Sequence, residues 1–166
     1  NVTLNLAGGS VVDAFGGSDA NGNITGLITV NVLDHEGTCG LDLTNVYGAS
    51  NQTAYAPDGT DPVGPVVNVM HIAQTDGIRG NVYGGGNQGT VTANPQVNIG
   101  YDESMSSHIP DGYPITEANR RAYVTRNVFG GGNEAGVSGT VVNLISGTVA
   151  TAVYGGCNTN GNVSGD

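Results

Sequence analysis

The residues able to do chemistry are few and unevenly spread. The chain carries three histidines, four arginines, no lysine and fourteen carboxylates. His35, His71 and His108 fall in links between short apolar segments. Arg79, Arg120, Arg121 and Arg126 join them there, with Asp34, Glu36, Asp102, Glu103 and Asp111. A metal centre on Asp34, His35, Glu36 and His71 is conceivable, but no two histidines have the spacing of zinc ligands. The loop "SDANGN" offers calcium ligands from Asp19, Asn21 and Asn23. It lacks the full EF-hand pattern and a closing glutamate, and an ordinary Asn/Asp turn accounts for the same residues.

Bond-breaking chemistry finds less support. No serine sits in a nucleophile motif. A polysaccharide lyase of coiled β architecture needs a basic residue beside carboxylates. Arg79 and Arg126 precede Tyr83 and Phe129 by four and three residues, so they suit neighbouring positions of a repeat. Paired acids, however, occur only in the links. No catalytic residue is assigned, and the pattern favours a non-enzyme.

The stretch "NVYGGGNQG" at 81–89 resembles a phosphate loop, but a Walker loop needs a lysine that this chain lacks. The stretch instead recurs, as "NVFGGGNEAG" at 127–136 and "AVYGGCNTNG" at 152–161, with weaker copies "DAFGGSDANG" at 13–22 and "NVYGASNQ" at 45–52. A second element follows most copies, as in "GTVT", "GVSG" and "GNVSG". A third is "LNL" at 4–6, "VNV" at 30–32 and 67–69, "VNI" at 97–99 and "VNL" at 142–144. Each unit therefore holds three short strand-like segments punctuated by Gly, Asn or Ser. Helical periodicity is missing, and so much glycine would break helices. The expected fold is all-β: a right-handed parallel β-helix of about four to five three-sided coils, each of about 25 residues plus insertions. Residues 1–166 form a single solenoid domain, expected to be a piece of a longer repeat protein. The repeated glycines are then corner residues, required for positive φ or for close approach of coils.

The repeats "VYGGGNxGxVxG…VNI" resemble those of large bacterial surface or secreted β-helix proteins, which are adhesin-like. The resemblance covers nearly the whole chain and is specific for architecture rather than for function. It implies an extracellular or cell-surface location and carries over no catalytic residue.

Strand alternation sets the side-chain directions. Leu4, Leu6, Val30, Val32, Val67, Val69, Val97, Ile99, Val142 and Leu144 are expected in the core. Asn5, Asn31, Asn68, Asn98 and Asn143 are expected as a solvated outward ladder that hydrogen-bonds to itself. The aromatic anchors Phe15, Tyr47, Tyr83, Phe129 and Tyr154 form one column. It lies outside, as a stacking surface suited to sugars, if Val46, Val82, Val128 and Val153 point inward; otherwise it is a core stack.

Insertions gather between the Asn ladder and the aromatic column, at one corner, which marks a binding edge in repeat proteins. This edge carries Asp34, His35, Glu36, His71, Arg79, Tyr101, Asp102, Glu103, His108, Tyr113, Arg120, Arg121 and Arg126. A further expansion, 52–65, holds Asp58 and Asp61. Within the longest link, "ITEANRRA" suits a short helix with Thr116 as its N-cap.

A net charge of -10 repels nucleic acid and anionic lipid and attracts cations or basic partners. No stretch is long and apolar enough for a membrane helix, and the opening "NVTLNLAGG" reads as mature sequence. The expected function is a non-enzymatic structural or adhesive module, binding an extracellular glycan or host protein through the insertion edge. A carbohydrate-active module is the alternative, ice binding a lesser one. No cofactor is expected, calcium excepted. Cys39 and Cys157 are expected to stay unpaired, being about four coils apart. Uncapped coil ends are expected to associate end to end.

Overall fold

The computed structural model describes residues 1–34, 40–59, 63–72, 77–109, 111–113, 115–116 and 120–165. The Val-Asn-Val type segments fold as strands β1 (Val2–Leu6), β3 (Ile28–Leu33), β5 (Val63–His71), β7 (Asn94–Ile99) and β10 (Val141–Leu144). They pair in the order β1-β3-β5-β7-β10 as one parallel sheet. The segments that lead into the aromatic anchors give β2 (Gly9–Phe15), β4 (Leu41–Tyr47), β6 (Val82–Tyr83), β9 (Asn127–Phe129) and β12 (Ala152–Tyr154). These build a second parallel sheet in the order β12-β9-β6-β4-β2. Strands β8 (Ala122–Val124) and β11 (Gly147–Val149) form a short parallel pair. A further parallel ladder runs through Tyr55, Val91, Val137 and Val163.

Repeats therefore stack as layers, each giving one strand to either sheet. Like pairs with like. Asn5, Asn31, Asn68, Asn98 and Asn143 are register partners in turn. So are Phe15, Tyr47, Tyr83, Phe129 and Tyr154. Between the sheets lies the main core, which includes Val30, Val32, Val67, Val69, Val97 and Ile99 from the first sheet and Val46, Val82 and Val128 from the second. Burying each such side chain contributes about 1.5–3 kcal/mol.

Three expectations are refined. Leu144 is 56% exposed, and Leu4, Leu6 and Val142 are only partly buried, because an outermost layer has a neighbour on one side. The Asn ladder does hydrogen-bond to itself, but it is solvated only at its end rungs, Asn5 and Asn143: Asn31, Asn68 and Asn98 are buried. The corner glycines 84–86 and 130–132 have no positive φ; close approach is what they serve. A Cβ at Gly48 or Gly84 would overlap the carbonyl oxygen of Gly84 or Gly130 in the next layer.

The cover over the Asn ladder is the 3-10 helix η1 (Glu103–His108). Met105 of η1 packs with Leu33, Met70 and Tyr101, joined by Ile109, Tyr113 and Ile115. This second apolar cluster lies apart from the main core. Leu33 and Met70 follow the Val-Asn-Val alternation of their strands and give the insertion its apolar seat. Of the expected "ITEANRRA" helix, residues 117–119 lie outside the described residues, and its last residue, Ala122, instead opens strand β8.

Candidate functional site

Asparagine ladders dominate the polar architecture. In the first, Asn31, Asn68, Asn98 and Asn143 each donate Nδ2–H to Oδ1 of the preceding layer, at 2.9, 3.0, 2.8 and 2.8 Å. A second runs from Asp13 through Asn45 and Asn81 to Asn127, with Asn81 donating to Asn45 Oδ1 through its backbone N–H while its Nδ2 donates to Tyr83 Oη. A third joins Asp19, Asn51, Asn87, Asn133 and Asn158 at 2.8–2.9 Å. Each bond contributes about 0.5–1.5 kcal/mol net, and more is lost if a buried partner is orphaned. The donors all point toward the first layer.

The aromatic column lies outside the main core, with the valines inside. Its rings stack at 4.5, 4.7, 5.1 and 5.0 Å between centroids, within 11° of parallel. Tyr47, Tyr83 and Phe129 are buried and cluster with Phe15, whereas Tyr154 is 49% exposed. Ring faces that stack on one another are not open to a sugar; among the described residues, the outer faces of the two end rings, Phe15 and Tyr154, are the exceptions. Burial raises the pKa values of Tyr47, Tyr55 and Tyr83. At Tyr47 the charges of Tyr83, Asp13 and Glu134 add to it. At Tyr83, hydrogen bonds from Asn81 and Asn158 work against it, as a backbone hydrogen bond does at Tyr55. A pKa raised by folding means stability that is intact below the unfolded tyrosine value, about 10, and lost as pH rises beyond it. Phenolate absorbance on alkaline titration should show Tyr47, Tyr55 and Tyr83 ionising late, together with unfolding.

The insertion edge divides. Tyr101, Asp102, Glu103, His108, Tyr113 and Arg120 belong to the cover over the first sheet. Asp102 caps η1, accepting from Ser104 N at 2.8 Å. Arg120 pairs with Glu103 at 2.8 Å and lies 5.4 Å from the Tyr101 ring centroid. Tyr113 Oη donates to the Asp34 carbonyl at 2.6 Å. Buried Asp34 accepts from Leu41 N at 3.0 Å, fixing the start of β4. Arg79 pairs with Asp42 of β4 at 2.7 Å on the surface. Arg121 and Arg126 are exposed beside β8 and β9. His71 ends β5, and His35, Glu36 and Cys39 lie outside the described residues. Cys157 is a free thiol.

Two clefts flank η1. The larger, about 660 Å³, has Gln96, Asn98 and Asn143 as its floor, Asp102, Ser104, Met105 and His108 as one wall, and Val142, Leu144 and Ile145 as its lip. The smaller, about 230 Å³, lies over Thr3, Asn5, Thr29 and Asn31 and is closed by Ser107, His108 and Ile109. His108 lines both. Of these residues, the sequence marks only Asp102 and His108 as part of the edge, and it suggests a solvated face for the Asn ladder. Apolar Leu33 and Met70, directly after "VNV", were the missed sign that this face is covered.

Among the described residues, no group of three or more His, Cys, Asp or Glu could hold a metal ion. Asp19 is engaged as the ladder acceptor for Asn51, and Asn21 and Asn23 are exposed. No helix among the described residues is long and apolar enough to cross a membrane.

Compared with known proteins, the chain matches no family model, no curated protein and no solved structure.

Proposed function

We propose that the chain is a non-enzymatic adhesive module of a bacterial surface protein, a right-handed parallel β-helix that binds a neutral glycan in the larger cleft beside η1. The cleft carries this reading. Its floor is amide, from Gln96, Asn98 and Asn143, and its lip is aliphatic, from Val142, Leu144 and Ile145. Planar amides supply both donors and acceptors to sugar hydroxyls, and a few polar groups set among apolar ones are the usual make-up of a ligand site. The net charge of -10 disfavours anionic polysaccharides. Repeat identity from layer to layer, with the resemblance to surface repeat proteins, supports the extracellular placement.

The carbohydrate-active alternative gains little. Asp102 is the single carboxylate among the described residues lining the cleft, and it is committed to capping η1. A glycosidase needs two carboxyl groups across the scissile bond.

The test is a glycan array followed by titration of the best neutral ligand. Asn143→Ala combined with His108→Ala should weaken binding at least tenfold while the melting temperature moves little. Binding that ignores both substitutions, or no binding to any neutral glycan, would overturn the reading. Turnover of a polysaccharide in a zymogram would favour the enzyme instead.

A further inference from the structure

One buried amide in the larger cleft has a hydrogen to spare. Asn98 is 5% exposed and forms part of the floor. Its Oδ1 accepts from Asn143 Nδ2 at 2.8 Å and from Gln96 Nε2 at 3.0 Å, which uses both lone pairs. Its Nδ2 donates one hydrogen to Asn68 Oδ1 at 2.8 Å. The second hydrogen finds no acceptor among the described residues. Turning the amide over does not help. A flip would set donor against donor at Asn143 and Gln96, and acceptor against acceptor at Asn68.

A buried donor without an acceptor is costly, so this hydrogen fixes what a ligand must bring. A sugar hydroxyl that accepts here also brings a proton, and Asn98 Oδ1 is already saturated and cannot take it. A carbonyl brings none. The surroundings extend the description. Asp102 caps η1 through Oδ1 alone, which leaves Oδ2 as an acceptor in the wall of the cleft. Met105 and Ile145 line the cleft as well, and a methyl group placed against them leaves water. A carbonyl, an N–H and a methyl in one plane make an acetamido group. In a trans amide the carbonyl and the N–H point in opposite directions. The carbonyl then meets the floor at Asn98, and the N–H meets the cover at Asp102.

We propose that the larger cleft takes an N-acetylhexosamine residue of a neutral glycan, its acetamido carbonyl accepting from Asn98 Nδ2 and its N–H donating to Asp102 Oδ2. This rests on the glycan reading of the cleft and narrows it to 2-acetamido sugars. Asp102 is then a specificity-determining residue as well as a cap.

Calorimetric titration with matched oligosaccharides tests this. Oligomers of N-acetylglucosamine are compared with oligomers of glucose of the same linkage and length, and N-acetylgalactosamine with galactose in the same way. In at least one pair the acetamido member should bind about tenfold or more tightly, from two added hydrogen bonds and one buried methyl. Asp102→Asn keeps the cap, since asparagine caps helices as well as aspartate, but turns the ligand-facing atom from acceptor to donor. It should bring the pair to near parity while the melting temperature holds. Equal or weaker binding of both acetamido members would overturn the inference and leave the glycan reading standing. A preference that survives Asp102→Asn would also overturn it, because the acetamido group would then sit elsewhere. No binding of any member of either pair would overturn both readings.

Discussion

Gly84→Ala strongly destabilises the protein, and Gly155→Ala leaves the dilute monomer's melting unchanged. The two glycines occupy the same column of the repeat. At Gly84 an added Cβ would overlap the Gly130 carbonyl oxygen and lie 2.9 Å from Pro95 Cβ and 3.0 Å from Val97 Cγ2. The first obstacle is backbone, held by the Gly84 N–H bond to the Phe129 carbonyl at 2.9 Å and by the Gly130 N–H bond to the Tyr154 carbonyl at 2.8 Å. No rotamer change relieves it; two layers must part. Overpacking of this kind costs about 3 kcal/mol, or about 6–12 °C in a domain of this size. At Gly155 the same methyl enters open space. Thermal melts of both variants check the pair. Equal effects would mean that glycine at this corner serves backbone conformation and not close approach.

Asn68→Leu should cost about 4 kcal/mol, against about 1 kcal/mol or less for Asn143→Leu. Asn68 is fully buried, donating to Asn31 and accepting from Asn98. Leucine leaves Asn31 Oδ1 without its donor and Asn98 Nδ2 without its acceptor, both beneath η1. Each orphaned buried group costs about 1–3 kcal/mol. Asn143 is the outer rung, and losing it removes only one of the two donors to Asn98 Oδ1, since Gln96 still donates at 3.0 Å. Denaturant melts at neutral pH measure both. Equal costs would mean that η1 does not seal the ladder from water.

Legibility in the sequence followed the period of the structure. Strand alternation is two and layer pairing sets like on like, so "LNL", "VNV", "VNI" and "VNL" announce an asparagine ladder with aliphatics opposite. The repeated aromatic likewise announces a column. Which of the two neighbours in "VY" or "VF" faces inward was not legible, because both are apolar and either alternation is consistent. The decision rests on volume and on tertiary fit. Valines fill the space between the sheets, and the rings find burial by stacking along the outside. The site was legible only in part. The insertion edge was visible as a cluster of link residues, but Arg79 and Arg126 fall beside the second sheet and Arg121 beside the short β8–β11 pair, while Asp102 and His108 fall over the first.

The amino-acid sequence by itself determined the stacking of repeats, the register and the self-pairing of amides, because each follows from short-range periodicity repeated along the chain. Only the tertiary structure decided that the ladder is buried and that a cleft lies beside it. Those depend on where η1 comes to rest, and that is set by Leu33 and Met70, which meet Met105 and Tyr101 from 31 to 72 residues away in the chain. Contacts between segments so far apart leave no local pattern in a sequence; they exist only once the layers have brought the outward apolar side chains to one surface that water must be displaced from.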